Sequence, residues 1–452
     1  MSDSSILWRF APISACLISV TMMATSVALA APVARFGLSP DNDLTVLVST
    51  LATAKSQIDI NMYQFDSAPV ADQLIERIKA GVSVRLLLES HPVEGSISTQ
   101  EKQMLHRIQD AMKTSGVTTH RIFMMGALNG INKSRRYAYD HAKYVLIDGI
   151  RVLICSENFT STGHPAPGQI GNRGWEVVLE DPSLAATMTD MFNVDSDTQY
   201  KDVTAYGPRD PLPFAPEAVL SSEVASLSSA SGPRHNPALP EGFGTFNTAT
   251  LITSPNSLNG LQDFMRFATK TLDTEQMSLP HLWKVATVPG PSPLVAELIA
   301  AAKRGVSVRA LLNDDNVFDF SSDPTKKTNT LTVKYLSDMA RCYGLPIAAR
   351  IINIKQVGIT YIHNKGILAD SQRVLISSIN GTRNSVMNNR EVAVALDSPD
   401  AAAYFGRAYD KDWELSAADI EMKQPTGDCP SYETDSLMPA TAWLRPDLGW
   451  LN

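Results

Sequence analysis

Two stretches of the chain carry the same polar residues at the same intervals. His141-Ala-Lys143-Tyr-Val-Leu-Ile-Asp148 is followed, after six residues, by Cys155-Ser156-Glu157-Asn158. His363-Asn-Lys365-Gly-Ile-Leu-Ala-Asp370 is followed, after six residues, by Ser377-Ser378-Ile379-Asn380. Histidine, lysine, aspartate, serine and asparagine coincide, while most residues between them differ. Packing alone would tolerate other polar choices, so a duplicated polar skeleton on a changed apolar background points to chemistry. Imidazole takes, gives or shares electron pairs and protons near neutral pH. A lysine two residues further along a strand lies on the histidine's face. With the asparagine it supplies donors for negative charge developing in a reaction.

The elements around each copy are legible from periodicity. In the first half, Leu44 to Ser56 reads as an amphipathic helix and Ile58 to Phe65 as a strand. Val70 to Lys79 is a helix closed by Gly81, Val82 to Leu88 a strand, Lys102 to Thr114 a helix and Arg121 to Met124 a strand. Tyr144 to Ile147 and Arg151 to Cys155 are strands joined at Asp148-Gly149, a tight-turn signal. Glu176 to Leu179 is another strand, and a helix from Pro182 to Phe192 closes the half. The second half repeats the first: Leu74-Ile-Glu-Arg-Ile-Lys-Ala-Gly81-Val-Ser-Val-Arg85 returns as Leu298-Ile-Ala-Ala-Ala-Lys-Arg-Gly305-Val-Ser-Val-Arg309. The interval between copies shortens towards Glu176 and Glu391, because the loop after Asn158 is longer than that after Asn380. Helices alternating with strands imply α/β units. The expected organisation is a leader over 1–30, an N-terminal domain over 31–207, a Pro/Ser-rich linker over 208–244, a C-terminal domain over 245–425 and an extension over 426–452. Ala215 to Leu227 is a possible short helix inside the linker, and the extension, with Trp443 and Trp450, is expected to wrap over the second domain.

Composition is that of a globular protein, 44% hydrophobic and 19% charged over 452 residues, with a net charge of −8. Negative charge argues against a broad basic face for non-specific nucleic-acid binding, though a local basic cleft is compatible with it. Arg9 precedes an apolar run from Phe10 to Ala31 whose Ala28 and Ala30 form a small-x-small pattern, so cleavage after Ala30 and export are expected. An uncleaved anchor is the alternative. A lipoprotein reading of Ile13 to Cys16 is disfavoured, since most of the apolar run follows Cys16. Export permits disulfides. Cys155 reads as a buried small hydrophobe, Cys342 with Cys429 as a candidate bridge, and no cysteine pair has zinc spacing.

The paired His-x-Lys-x4-Asp-x6-(small)-Ser-x-Asn skeleton resembles the phospholipase D superfamily, in particular its secreted two-motif members. The resemblance covers most of the chain. Where that family usually has glycine before the motif serine, Cys155 and Ser377 stand here. The resemblance implies two homologous phospholipase D-like α/β/α sandwich domains in a pseudo-twofold arrangement, one active site between them, and no cofactor or metal. It implies that one of His141 and His363 attacks phosphorus and the other protonates the leaving oxygen, with His141 favoured as nucleophile by analogy. Lys143, Lys365, Asn158 and Asn380 would hold the phosphoryl oxygens. A carboxylate downstream of each motif would orient its histidine, a role that Glu176 and Glu391 fit, Glu176 being the expected partner of His141. Asp148 and Asp370 fall at the turn between the motif strands and read as structural, and Ser156 and Ser378 as support. Lys133, Arg135, Arg136, His164 and Arg173 are weaker candidates for lining the cleft.

The favoured activity from these residues is metal-independent hydrolysis of phospholipid to phosphatidate and head-group alcohol. Phosphodiester substrates, transient contact with a membrane surface and no obligate protein partner go with it. A secreted nuclease using the same residues is the alternative. A phospholipid synthase or transphosphatidylase, and a non-catalytic binding module, are further ones.

Overall fold

A computed structural model describes residues 32–416 and 429–430, apart from 94, 127–134, 215–237, 286–287, 319–322 and 324–325. The leader, Lys133, residues 215–237 of the linker with its candidate helix, and Trp443 and Trp450 lie outside the described residues.

The first half runs β1 (Val33–Ser39), α1 (Asp43–Ala52), β2 (Gln57–Met62), α2 (Ala68–Lys79), β3 (Ser83–Glu89), α3 (Thr99–Thr114), β4 (Arg121–Met125), β5 (Tyr144–Ile147), β6 (Arg151–Cys155), β7 (Gly174–Glu180), α4 (Pro182–Asp195) and β8 (Val203–Tyr206). After the linker come β9 (Gly242–Thr245), β10 (Thr248–Ser254), α5 (Leu258–Arg266), β11 (Thr271–Gln276), β12 (Leu282–Val285), β13 (Val288–Pro291), α6 (Pro293–Lys303) and β14 (Ser307–Leu312). The chain ends in α7 (Thr328–Tyr343), β15 (Ile347–Ile351), α8 (Ile354–Val357), β16 (Lys365–Ala369), β17 (Arg373–Ser377), α9 (Arg383–Met387), β18 (Glu391–Asp397) and α10 (Pro399–Leu415).

Among the described residues the strands form two large sheets and one hairpin. The sheet orders are β8-β4-β3-β2-β5-β6-β7-β1-β9 and β10-β18-β17-β16-β11-β14-β15, with β12-β13 apart. From β4 to β1 and from β15 to β10 the two orders are the same, so the sequence repeat is a fold repeat. Strands β2, β3 and β4 are parallel, as are β11, β14 and β15, while the motif strands pair antiparallel. The motif strands are apolar at successive positions because both faces are covered. Val152 and Ile154 of β6 face a core shared by the two halves, whereas Leu153 and Cys155 face the helices of their own half. On β18, Val392, Val394 and Leu396 face the shared core and Ala393 and Ala395 the other.

The shared core lies between the sheets and takes in α4 and α10. Trp175 stacks on Phe405 with ring centroids 4.8 Å apart. It also packs so closely on β16 that a Cβ on Gly366 would come within 2.3 Å of its ring. The linker expected to run to 244 ends sooner, because β9 pairs with β1 at the edge of the first sheet. Its glycines are there for close approach, since a Cβ at Gly242 would meet Tyr404 at 2.6 Å and one at Gly244 would meet Asp400 at 2.4 Å. Cys342 on α7 is joined by a disulfide to Cys429, so the chain returns to the second half. No described helix is long and apolar enough to cross a membrane.

Candidate active site

His141 lies three positions and His363 two positions ahead of the first motif strand of its half, and each is held by backbone from the opposite half. The His141 N–H donates to the Arg390 carbonyl at 2.8 Å, and the His363 N–H to the Arg173 carbonyl at 2.9 Å. The two arginines are buried. Arg390 bonds to Asp195 at 2.7 Å on α4, and Arg173 bonds to Asp412 on α10 at 2.5 Å. Each tail helix therefore holds, through a buried ion pair, an arginine of the opposite half whose carbonyl in turn holds the histidine of the tail helix's own half.

The carboxylates are crossed in the same way. Glu391 Oε2 accepts from His141 Nδ1 at 2.8 Å and from the Ser378 hydroxyl at 2.7 Å, and Oε1 accepts from Asn389 at 2.9 Å. Three donors converge on this carboxylate. Glu157 Oε2 stands 3.1 Å from His363 Nδ1 and accepts from Asn172 at 3.0 Å, while its Oε1 has no hydrogen-bond partner. Gly174 leaves it space, since a Cβ there would meet Oε1 at 2.3 Å. Burial pushes the Glu157 carboxyl up to about 8.

This corrects the expected pairing. Glu176 does not reach His141. Its Oε2 bonds to Nε2 of buried His164 at 3.1 Å. The physical reason is the longer loop after Asn158, which brings His164 down onto β7 and occupies that carboxylate. Glu391 serves the histidine of the first half rather than its own. Glu157, which sequence reasoning passed over, serves His363. Its signal was an ionisable residue between the motif serine and asparagine in one copy, where the other has Ile379.

Lys143 and Lys365 are buried and fold back on the carbonyls of His141, at 2.9 Å, and His363. Burial lowers Lys143 to about 8. Burial and the neighbouring Lys143 charge lower Lys365 to about 7. Burial also lowers His141, to about 4, against the pull of Glu391, and takes His363 well below its ordinary value. The empty site thus disfavours added positive charge and is suited to receive an anion. Tyr63 lies edge-on to His141 at 4.6 Å and under the Lys143 ammonium at 5.2 Å, and Tyr361 lies edge-on to His363 at 5.8 Å.

Of the remaining expected residues, Asn158 gives one amide N–H to Gln64 at 2.8 Å, and Oδ1 of both Asn158 and Asn380 is buried without a partner. The Ser156 hydroxyl accepts from the Trp175 N–H at 3.0 Å, away from the histidines. Ser378 does more, because its hydroxyl helps to hold Glu391. Asp148 accepts from Lys55, Ser56 and Gln57 backbone N–H groups at 2.8–2.9 Å, and Asp370 from those of Thr269, Lys270 and Thr271 at 2.7–2.9 Å. Both sit in the left-handed region, at φ 54° and 55°, and close the turn between motif strands. Arg135 and Arg136 are committed to Glu89 and Asp202, and His164 and Arg173 are buried, so these four do not line the cleft.

A family model described as cardiolipin synthase, PLD-like domain, matches residues 47–196 and 268–413. Among solved structures, phosphatidylserine synthase from Haemophilus influenzae Rd KW20 is similar over 86% of this chain and 88% of its own, at 14% identity and TM-score 0.58. A likeness at that level establishes a shared fold. Polyphosphate kinase from Porphyromonas gingivalis aligns at TM-score 0.46 and 12% identity, over 83% of this chain and 50% of its own. Nuc, a phospholipase D family member from Salmonella typhimurium, aligns at TM-score 0.30 and 19% identity, over 39% of this chain and 98% of its own. No curated protein sequence matches the chain.

Proposed function

We propose, given that this chain belongs to the PLD-like domain family of the phospholipase D superfamily, that it transfers a phosphatidyl group from a phospholipid to an alcohol through a phosphohistidine. The observation that carries the reading is the pair of crossed histidine–carboxylate contacts. Glu391 accepts the Nδ1 proton of His141 and leaves Nε2 with its lone pair as the nucleophile. Glu157, kept protonated by burial, donates to His363 Nδ1, so that Nε2 of His363 carries a proton as general acid. His141 Nε2 attacks phosphorus, and the bond to the leaving oxygen breaks. That oxygen takes the Nε2 proton of His363 while Nδ1 takes the proton of Glu157. Return runs in reverse: the incoming alcohol gives its proton to His363 Nε2, Glu157 regains its own, and the P–N bond returns its electrons to His141. Lys143 and Lys365 offset the charge on the non-bridging oxygens.

Water in place of the alcohol gives the hydrolase expected from the sequence, and the chemistry up to the phosphohistidine is the same. Two observations favour transfer. The matching family model is described as a cardiolipin synthase. The reacting side chains are also nearly closed off, His141 13% and His363 6% exposed, and a dry site lengthens the life of a covalent intermediate. The apolar run after Arg9 supports export of the chain, which N-terminal sequencing of the mature protein would check.

The test is to incubate purified full-length chain with phosphatidylglycerol vesicles and a labelled primary alcohol, and to separate the lipids. Labelled phosphatidyl-alcohol is expected, with acid-labile phosphate trapped on His141 when His363→Ala is given an activated aryl phosphodiester, whose leaving group needs no proton. Phosphatidate alone returns the reading to hydrolysis. Cleavage of single-stranded DNA without lipid turnover replaces it with the nuclease.

A further inference from the structure

A second group of ligand-type side chains lies in the first half and takes no part in the steps above. Cys155 at the end of β6 and Glu176 on β7 are direct cross-strand partners. His164 comes down on them from the loop after Asn158. Its Nε2 is 3.1 Å from Glu176 Oε2 and 3.7 Å from Asp43 Oδ2 on the first turn of α1. Cys155 Sγ, the His164 nitrogen and a Glu176 oxygen all lie within 4.8 Å of one another.

Three features of the group go beyond proximity. His164 Nδ1 stands 3.0 Å from the Asn158 carbonyl, which only accepts. With Nδ1–H fixed on that carbonyl, Nε2 is the nitrogen shared with two carboxylates, and it is the atom a metal would take in place of the proton. A metal-bound histidine has the same arrangement, with its other nitrogen fixed by a backbone carbonyl. Next, Glu176 Oε1 has no hydrogen-bond partner although the residue is buried, and Asp43 has only weak contacts from Ser39 and Leu44 besides His164. Finally, Gly37 opposite Glu176 keeps the space open, since a Cβ there would meet Oε1 at 2.9 Å.

We propose that Cys155, His164 and Glu176 bind one divalent metal ion of the zinc class, with Asp43 the neighbouring carboxylate on the imidazole side. Sulfur, imidazole and carboxylate donors together suit that class. At its usual bond lengths, the edges of a tetrahedral ligand set are roughly 3.3–3.8 Å. The 3.1 Å His164–Glu176 separation lies near that range, and Cys155, within 4.8 Å of both, needs to close by about 1–1.5 Å at most to join. The Cys155 thiol proton and the proton held between His164 Nε2 and Glu176 are released to solvent on binding. The ion holds together β6, β7, α1 and the loop that carries Asn158, so it is a structural stake beneath the first motif. The buried position implies uptake as the chain folds.

Untagged full-length chain, purified without chelator, should hold about one zinc-class ion by elemental analysis. Refolded with Co²⁺ in place of zinc, it should show a thiolate-to-cobalt charge-transfer band. Cys155→Ser, nearly the same shape, should lose the band, and His164→Gln should lower metal content at least about tenfold. A wild-type chain refolded with equimolar zinc that keeps below about a tenth of an ion, with His164 doubly protonated in its NMR spectrum, overturns the site in favour of a plain imidazolium–carboxylate pair. Metal that persists undiminished in Cys155→Ser and Glu176→Gln lies elsewhere and overturns it too. The wild-type readouts stand whether or not the variants fold, and none depends on turnover, so failure here leaves the transfer reading untouched.

Discussion

The two carboxylates that face the histidines are not equivalent, and the difference is measurable. Glu391 stabilises positive charge on the attacking imidazole, whereas Glu157 supplies a proton for the departing oxygen. Glu391→Gln should lower kcat about 10²–10³-fold on any phosphodiester, and Glu157→Gln should do the same on a natural lipid. With an activated aryl phosphodiester, whose leaving group needs no proton, the Glu157→Gln defect should largely vanish while that of Glu391→Gln stays. Equal defects on both substrates would refute the division of labour. The lysines set the alkaline limb. With Lys365 at about 7 and Lys143 at about 8 in the free site, both are cationic below those values and lose charge above them. The rate constant kcat/KM should therefore fall as pH rises through about 7 to 8, while the kcat limb lies higher, because a bound phosphate anion favours the ammonium form. A flat kcat/KM from pH 6 to 9 would contradict it. The histidines, lysines and asparagines were legible because each occurs twice at one spacing. The carboxylates were legible only as types. Their partners are set across the interface by loop length, which no local pattern encodes, so Glu391 was read into the wrong half and Glu157 was passed over beside the very residues that drew attention.

At the scale of elements, the repeated strands and helices were readable because they keep clear periods with turn signals between them. The edge pieces were not. Strands β8 and β9 are short, and they and β1 lie beside the leader or the linker and are defined by pairing rather than pattern. The turn between motif strands shows how the copies have diverged. Asp148-Gly149 and Asp370-Ser371 both take left-handed backbone, but Ser371 does so at φ 53° with a Cβ. Ser371→Gly should raise stability by about 0.5–1 kcal/mol in urea denaturation and leave turnover unchanged. Two positions before Asp148's counterpart strand gathers its apolar run, Gly366 replaces Tyr144 to admit Trp175. Gly366→Ala should destabilise by about 1–3 kcal/mol through overpacking, and should also lower kcat, because Lys365 is on the same strand and His363 leads into it. Unchanged urea midpoint and turnover would show that Trp175 can retreat.

For the whole molecule, the decisive contacts are those that cross between halves. Arg390 with Asp195 and Arg173 with Asp412 are buried pairs that each support the opposite histidine's backbone. Removing one partner leaves an uncompensated charge in the interior, so Arg390→Met should cost about 3–5 kcal/mol, and Asp195→Asn in the same chain should recover part of it. Calorimetry reads both, and a single transition is expected, since the halves share one core. An additive double variant would mean that the two groups act independently.

The crossing of carboxylates and backbone also bears on when the chain becomes active. A nascent chain that has completed only its first half carries His141 without Glu391, and Glu157 without His363. Neither half-site holds a working acid, base or nucleophile. Catalysis is switched on by docking itself, so the join between the halves acts as a safety catch. A chain still being made, or cut short, has no assembled site with which to attack a phosphodiester.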